Sequence, residues 1–251
     1  MRTSIISSRW ALKLTLKDIH VGNQPSSLNI AAVIPARGNS KGIPRKNVRS
    51  IAGLPLIAHS ILDCRESQRV DQVFVSTDDE EITQVAEQYG ATVIHRPAAI
   101  AGDNASSESA LIHALQEIEA GYFQPDLIVF LQCTSPVRTG IDIDRAIHQL
   151  QATDADSLLS VSPSHRFLWQ AKEGEVISIN YDYRRRQRRQ DLAPQYVENG
   201  SIYIFKPWVL KTLDNRLGGK ISLFCMDEKA AWEIDSLLDW KILELLLTSD
   251  H

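Results

Sequence analysis

Short apolar runs alternate with helical patterns along most of this chain. Runs dominated by apolar residues occur at 30–34, 72–76 and 127–131, which is typical of strands buried on both faces of a sheet. Between them, apolar side chains recur at helical spacing after Pro55, after Asp78 or Asp79, and after Ser106 or Ser107. This alternation predicts an α/β fold, with a mostly parallel sheet and helices on both of its faces.

The remaining segments extend this pattern and then change it. Further strands are predicted at 92–95 and 157–161, with a helix at about 142–150 before the second of them. Residues 127–131 form the most apolar strand, so we expect this strand near the centre of the sheet. Beyond it, residues 167–180 resemble a hairpin that turns at Glu173 and Gly174, and strands at 200–205 and 221–225 precede a closing helix at 237–247.

The chain is long enough to bury one large core, and we expect a single domain over residues 29–251. Within it, residues of about 164–200 are predicted to project from the sheet as a subdomain, toward a second copy of the chain. Residues 1–28 are basic, with Asp18 as their only acid. We interpret them as a loosely ordered extension; a targeting presequence or a start upstream of the true domain are the alternatives.

The loop after the first strand combines cations with glycines. It carries Arg37, Lys41, Arg45 and Lys46 together with Gly38 and Gly42. Backbone N–H groups made accessible by glycine, with basic side chains beside them, form sites for phosphate. The alternative is a solvated basic loop. In parallel sheets, ligands bind beyond the carboxyl ends of the strands, which is where this loop is predicted to lie.

Other polar residues follow the later strands at the same predicted edge. Arg96 follows the third strand, and Gln132 follows the central strand, before the TSPVR sequence at 134–138. Each could be an ordinary loop residue, but their recurrence at successive strand ends favours a common site. The arginine-rich loop at 184–191 suits recognition of carboxylate or phosphate, since arginine forms bidentate hydrogen bonds, although a solvated charge run is the alternative.

A pair of carboxylates near the end of the chain completes the candidate chemistry. Glu233 and Asp235 are separated by one residue, which places them on the same side of an extended segment. Two carboxylates can hold Mg²⁺ against a triphosphate, since this cation retains waters and phosphate oxygens as its other ligands. The alternative is an acidic helix N-terminus stabilised by the helix dipole, which Asp239 and Ser236 would also fit.

Composition limits the function to a local anion site. The net charge of −4 argues against a general affinity for nucleic acid or anionic membranes. The cysteines, Cys64, Cys133 and Cys225, are scattered and lack metal-ligand spacing, so we expect reduced residues in a cytoplasmic protein. No apolar run approaches the length of a membrane-spanning helix.

Taken together, the separated motifs resemble those of the acylneuraminate cytidylyltransferases, the CMP-sialic acid synthetases. They are, in order, IPARGNSKGIPRKN, HRPAAIAGDNASS, LQCTSPVR, RRQDLAPQYVENGSIYIF and EIDSLLDW, and they cover about 30–240. The resemblance implies a Rossmann-like fold of the nucleotide-diphospho-sugar transferase type with a hairpin dimerisation subdomain. It also implies transfer of CMP from CTP to the anomeric hydroxyl of a nine-carbon α-keto acid sugar, with release of pyrophosphate.

The resemblance also implies roles for individual residues. The phosphates and ribose of CTP would be held by Arg37, Ser40, Lys41, Lys46 and Asn47, and the cytosine by Arg96, Ala105 and Ser107. The sugar acid would face Gln132, Arg189, Tyr196 and Asn199, with Arg189 toward its carboxylate. Glu233 and Asp235 would bind Mg²⁺, and catalysis would rest on Arg37, Lys41, Lys46 and Asp235. A homodimer is implied, because the hairpin of this family completes the neighbouring site.

Two positions depart from the pattern of this family. Glu233 stands where Asp is common, and Val197 stands where some bacterial members have arginine, so the identity of the sugar stays open. The nearest alternative is a cytidylyltransferase for the eight-carbon acid Kdo. A CTP-binding regulator without turnover is another, although a binding protein has less need of a metal pair.

Overall fold

The fold is described from a computed structural model, which covers residues 28–38, 42–102 and 105–249, with the side chain of Arg189 excepted. All of the expected N-terminal extension except Leu28 lies outside these residues. The part of the chain described here contains no helix that is both long enough and apolar enough to cross a membrane.

The described residues form eleven strands and six α-helices. The strands are β1 (Ile30–Pro35), β2 (Ser50–Ile51), β3 (Leu54–Pro55), β4 (Gln72–Thr77), β5 (Thr92–His95), β6 (Leu127–Leu131), β7 (Ser157–Ser164), β8 (Trp169–Lys172), β9 (Glu175–Ser178), β10 (Gln195–Phe205) and β11 (Ile221–Cys225). The helices are α1 (Leu56–Glu66), α2 (Glu80–Gln88), α3 (Ser107–Gly121), α4 (Gly140–Ala152), α5 (Pro207–Leu213) and α6 (Leu237–Thr248).

Seven of these strands form the central sheet, in the order β11-β7-β10-β6-β1-β4-β5. The pairs β1–β4, β1–β6, β4–β5 and β7–β11 are parallel, whereas β10 is antiparallel to both of its neighbours, β6 and β7. The prediction of a mostly parallel sheet is therefore confirmed. The most apolar strand, β6, occupies the middle of the sheet, because apolar side chains on both of its faces need cover from both sides.

The sheet separates two apolar cores. One contains alternate residues of β1 and β6, such as Ile34 and Leu131, packed with side chains of α1 and α4. The other contains the intervening residues, such as Val33 and Phe130, packed with those of α3 and α5. Because successive strand residues point to opposite faces, each buried strand contributes to both cores.

Helix boundaries follow capping residues that the sequence indicates. The side chains of Asp79 and Ser106 accept hydrogen bonds from backbone N–H groups in the first turns of α2 and α3. Of the candidates that the sequence offered, Asp79 and not Asp78 caps α2, and Ser106 and not Ser107 caps α3. Thr139 with Asp142 and Ser236 with Asp239 form reciprocal capping boxes on α4 and α6. The small ladder β2–β3 and the helix α5 were not predicted, because both are too short for a periodic pattern.

A hairpin stands apart from the central sheet. Strands β8 and β9 pair with each other in a separate two-stranded sheet, and the chain turns at Glu173 and Gly174, which both have positive φ. We call residues 164–200, which contain this hairpin, the arm. Several of its large apolar side chains are exposed: Leu168, Trp169, Val176, Ile177, Ile179 and Tyr183.

A buried arginine joins α1 to the loop after β6 and to β10. The Arg138 side chain is fully buried, and its Nε lies 3.4 Å from Oδ2 of Asp63 on α1. Its guanidinium also donates to the carbonyl of Ser135, to Oγ of Ser60 and, at 3.3 Å, to the carbonyl of Ser201. Arg138 therefore fixes the TSPVR segment against two neighbouring elements. Burial raises the pKa of Asp63 to about 7, although the positive charge of Arg138 acts to lower it.

The raised pKa of Asp63 predicts a specific pH dependence of stability. Between about pH 4 and pH 7 the folded protein binds this proton more tightly than the unfolded chain does, so the contribution of Asp63 to stability falls as the pH rises through this range. Asp63→Asn cannot take up the proton. We therefore expect the free energy of unfolding of the wild type, measured by urea denaturation, to decrease relative to that of the variant as the pH rises. A constant difference between the two proteins across this range would contradict the assignment.

Candidate active site

A cavity of about 370 Å³ opens where β1 and β6 end. Its walls come from the loop after β1, the first residue of α3, the end of β6 with the loop that follows it, and the segment before α6. The lining residues are Pro35, Arg37, Gly42, Lys46, Asn47, Ser107, Phe130, Gln132, Cys133, Thr134 and Asp235. The structure thus brings together residues from four separated motifs at the carboxyl edge of the sheet, which is the position expected for a ligand.

Lys46 and Asn47 are fixed in this cavity by backbone carbonyl groups. Lys46 Nζ donates to the carbonyl oxygen of Ile234 at 2.8 Å, and Asn47 Nδ2 donates to that of Arg37 at 3.0 Å. Burial lowers the pKa of Lys46, while the nearby carboxylate of Asp235 acts to raise it. Hydrogen bonds to the backbone therefore fix the orientation of the Lys46 and Asn47 side chains.

Arg37 also lines the cavity, and its Nη1 donates to the carbonyl of Gly102 at 3.4 Å. The environment of Arg45 differs from those of Arg37 and Lys46. Its guanidinium is bidentate to Asp79, at 2.7 and 3.2 Å, and also contacts Glu81 at the start of α2. Ser40 and Lys41, which the sequence assigns to the same group, lie outside the described residues.

The carboxylate pair lies on the segment that Lys46 contacts. Ile234 is fully buried, whereas Glu233 is half-buried and Asp235 is exposed and lines the cavity. Burial raises the pKa of Glu233, and the negative charges of Asp235 and Glu198 raise it further. A bound cation would relieve this crowding of negative charge. The pair is suited to Mg²⁺, which takes one or two carboxylates from the protein and completes its shell with phosphate oxygens and waters.

Asp239 has a separate role. Its Oδ2 accepts hydrogen bonds from the backbone N–H of Ser236 at 2.7 Å and of Asp235 at 3.2 Å. The hydrogen bond from the Ser236 hydroxyl, together with these two backbone bonds, holds the pKa of Asp239 below its usual value. The helix-capping alternative thus applies to Asp239, and the carboxylates of Glu233 and Asp235 are not part of this cap.

Gly200 allows the sugar-facing and metal-binding candidates to approach each other. It has φ of +63°, and a Cβ atom at this position would lie 2.6 Å from Gln132 Oε1 and 2.8 Å from Glu233 Oε1. The side chains of Gln132 and Glu233 therefore meet at the backbone of β10. Glycine suits this positive φ, and any other residue would also require the ends of these two side chains to move.

Of the three residues assigned to the cytosine, Ser107 lines the cavity, whereas Arg96 and Ala105 are not among its lining residues. Ser107 lines the cavity as the first residue of α3, and the N–H of Ala105 donates to the carbonyl of Gly102 at 3.0 Å. Arg96 is buried, and its Nε donates to Oγ of Ser76 at 3.2 Å. Burial lowers the pKa of Arg96. Arg96 thus ties the end of β5 to the end of β4.

The structure does not bring Tyr196 or Asn199 into the lining of this cavity. Asn199 is fully buried, where its Oδ1 accepts from the Ser160 hydroxyl at 2.6 Å and its Nδ2 donates to Ser162 Oγ at 3.1 Å. Tyr196 is exposed on the part of β10 that belongs to the arm. The side chain of Arg189 lies outside the described residues, and the substrate roles of these residues remain predictions.

Sequence reasoning missed several residues of the cavity. Phe130 and Cys133 line it although nothing in their spacing marks them as functional, whereas Thr134 belongs to the TSPVR sequence that was considered at this edge. Burial raises the pKa of Cys133 to about 11, which keeps the thiol neutral. Gly200 could have been recognised, because a glycine between an apparent polar turn and a strand indicates a positive φ or a close approach of the backbone.

Comparison with known proteins identifies what this chain is similar to. The Cytidylyltransferase family model matches residues 31–209. A "Post-translational flagellin modification protein B" of Campylobacter coli is 36% identical over 228 residues, which cover 87% of this chain and 94% of that protein. A "CMP-N,N'-diacetyllegionaminic acid synthase" of Campylobacter jejuni is 35% identical, over 87% of this chain and 95% of the relative.

Other similarities extend to longer proteins and to solved structures. An "N-acylneuraminate cytidylyltransferase" of Oncorhynchus mykiss is 36% identical over 86% of this chain, and the match spans 50% of the fish protein. The solved structure of a CMP:2-keto-3-deoxy-manno-octonic acid synthetase complexed with CTP matches with a TM-score of 0.69 and 18% identity, over 89% of this chain and all of that chain. At this identity, the structural similarity concerns the fold alone.

The close approach at Gly200 predicts that adding a methyl group at this position lowers the stability of the protein. We expect Gly200→Ala to lower the free energy of unfolding by about 1–3 kcal/mol, since it combines backbone strain with a clash. The matched control is Gly174→Ala, which also has positive φ, of +86°, but has nothing within 4 Å of the added Cβ. Chemical denaturation should show a larger loss for Gly200→Ala. Equal losses would mean that the contacts with Gln132 and Glu233 have no energetic consequence.

Proposed function

Because this chain belongs to the cytidylyltransferase family, we propose that it transfers CMP from CTP to the anomeric hydroxyl of a nine-carbon α-keto acid sugar and releases pyrophosphate. The sugar acid would be N-acetylneuraminate or a related nonulosonic acid. The supporting observation is that one cavity brings together candidates for each part of the reaction. Lys46 and Asn47 are the candidates for the phosphates and ribose, Gln132 is the candidate for the sugar, and Asp235 is the candidate for the metal. Relatives whose length this chain nearly covers include CMP-N,N'-diacetyllegionaminic acid synthases.

The residues of the cavity fit attack of the sugar hydroxyl on the α-phosphorus, with pyrophosphate leaving in line. Catalysis at phosphorus depends mainly on positioning and on neutralisation of charge. Lys46 and Arg37 would neutralise the triphosphate, with Lys41 as a further candidate, and Asn47 would orient the nucleotide. Gln132 would hold the sugar beside Glu233, which it meets at Gly200.

Glu233 and Asp235 are the residues that would hold Mg²⁺. The crowded negative charge that raises the pKa of Glu233 provides a reason for a cation at this place. When bound there, Mg²⁺ would supply positive charge against the phosphate oxygens. Since the reaction consumes CTP, which cells make internally, we propose that the protein acts in the cytoplasm.

The test is release of pyrophosphate from CTP and Mg²⁺ with a panel of sugar acids: N-acetylneuraminic, Kdn, legionaminic, pseudaminic and Kdo acids. We expect turnover with at least one nine-carbon acid and much slower turnover with Kdo, because relatives of 35–36% identity include an N-acylneuraminate cytidylyltransferase and a CMP-N,N'-diacetyllegionaminic acid synthase. Release with Kdo alone would favour the eight-carbon alternative. No release with any acid would leave a nucleotide-binding regulator.

Two variants and a chelation experiment connect this activity to the proposed site. Asp235→Asn should reduce turnover by about a hundredfold or more, because it removes a carboxylate from the metal pair. Glu117→Gln, which removes one exposed carboxylate from α3, should leave turnover unchanged. Chelation of Mg²⁺ by EDTA should abolish release in the wild type. Full activity of Asp235→Asn would remove this residue from the site.

The arm suggests a homodimer. Its large apolar side chains, such as Val176 and Ile179, are 65% and 57% exposed, which is unfavourable unless another surface covers them. A second copy of the chain is the occupant that the resemblance of this chain to the CMP-sialic acid synthetases implies. The interface would bring the arm of one protomer to the site of its partner.

Sedimentation velocity provides the test of this dimer. We expect the wild type to sediment with twice the mass of one chain, and Val176→Glu to shift the population toward monomer, because a buried charge at an apolar interface is unfavourable. The matched control is Ile141→Glu, at an exposed position, 62% accessible, on α4. A wild-type monomer, or an equal response of the two variants, would contradict an interface formed by the arm.

A further inference from the structure

Arg45 lies in the basic loop after β1, but its side chain contacts the start of α2. We propose that Arg45 is a positioning residue for the nucleotide, acting through Asp79 and Glu81, and is not a ligand of the phosphates. Its Nη1 and Nη2 donate to both carboxylate oxygens of Asp79, at 2.7 and 3.2 Å, and Nη2 also contacts Glu81. The proposal rests on the proposed function, since it concerns how the site holds CTP.

The backbone of Arg45 shows what this contact orients. Arg45 has φ of 56° and ψ of 29°, a left-handed conformation that non-glycine residues rarely adopt. Its carbonyl oxygen accepts hydrogen bonds from the N–H groups of Val48 at 3.2 Å and Arg49 at 3.0 Å. These bonds form the short turn that contains Lys46 and Asn47. The conformation of Arg45 therefore sets the direction in which both cavity residues leave the backbone.

One of the two carboxylates that hold Arg45, that of Asp79, is itself anchored. Asp79 Oδ1 accepts the backbone N–H of Ile82 at 3.0 Å and caps α2. The same aspartate packs against Gly38, because a Cβ on Gly38 would lie 2.4 Å from Asp79 Oδ2. Two residues of the loop after β1, Gly38 and Arg45, thus contact one side chain at the start of α2. The start of α2 provides a fixed reference for the loop.

Electrostatics agree with this geometry. The hydrogen bond between Arg45 and Asp79 raises the pKa of Arg45 and lowers that of Asp79, so both groups are charged at neutral pH. The positive charge of Arg45 is therefore already matched by two carboxylates. Because the Arg45 side chain is 43% exposed, solvent screens the interaction, and its effect on binding should be modest.

The sign of one substitution separates positioning from direct phosphate binding. Glu81→Gln removes a negative charge near the site. If Arg45 bound phosphate directly, the Glu81 carboxylate would compete with the phosphates for its guanidinium, and removing that carboxylate would tighten the binding of CTP. If Arg45 positions the loop, losing its partner should weaken that binding. Glu80→Gln is the matched control, because it removes the same charge from the same turn, at a carboxylate that accepts a hydrogen bond from Gln84.

Calorimetric titration of the whole protein with CTP in the presence of Mg²⁺, and without any sugar, measures the effect. We expect Arg45→Gly to weaken binding roughly three- to fivefold, although glycine suits the backbone conformation better. Glu81→Gln should weaken binding about twofold, and Glu80→Gln should leave it unchanged or tighten it. Tighter binding by Glu81→Gln than by Glu80→Gln, or wild-type binding by Arg45→Gly, would overturn the proposal.

A second measurement does not depend on CTP. In the ligand-free proteins, the backbone amide resonances of Lys46 and Asn47 should shift or broaden in Arg45→Gly and Glu81→Gln, but not in Glu80→Gln. Unchanged resonances in the first two variants would overturn the positioning role, whatever the protein binds. Failure of the wild type to bind CTP, with these shifts present, would instead reject the proposed function alone.

Discussion

The hydrogen bond from Lys46 Nζ to the carbonyl of Ile234 joins two parts of the site that are 188 positions apart in the chain. One part is the loop after β1, which carries the cations. The other is the segment before α6, which carries the carboxylates. Since Ile234 is anchored in the core and its N–H donates to the carbonyl of Thr134, the lysine is held against a rigid support. This contact therefore holds the Lys46 cation beside the segment of the carboxylates.

Two glycines allow close approaches at this site. At Gly200 the neighbours are the side-chain oxygens of Gln132 and Glu233, and at Gly42 the neighbour is a backbone group, since a Cβ there would lie 2.6 Å from the carbonyl oxygen of Asp235. A side chain at either position would displace these groups. The absence of a side chain at Gly42 and Gly200 therefore contributes to the geometry of the site.

Much of the sheet and part of the site could be predicted from the sequence. Strands such as β5 and β6 were predicted with the bounds that the structure gives, because their apolar runs are limited by clear turn signals. Arg37, Lys46, Asn47, Ser107, Gln132 and Asp235 meet in one cavity because carboxyl ends of strands share an edge. The pairing of Arg45 could not be foreseen, since a basic loop gives no sign of which cations acidic residues of another element already neutralise. The environment of Asn199 could not be predicted either. Its side chain is buried and hydrogen-bonds to β7, at the place where the pairing of β10 with β7 is irregular.

The antiparallel strand β10 connects the arm to the central sheet beside the candidate active site. It begins in the arm, where Gln195–Glu198 pair with β7, and continues past Gly200 into the middle of the sheet beside β6. The pairing of β10 is irregular between Glu198 and Tyr203, and Gly200, with its positive φ, lies within this interruption. The segment that carries the exposed apolar side chains and the backbone that Gln132 and Glu233 approach thus belong to one continuous stretch of chain.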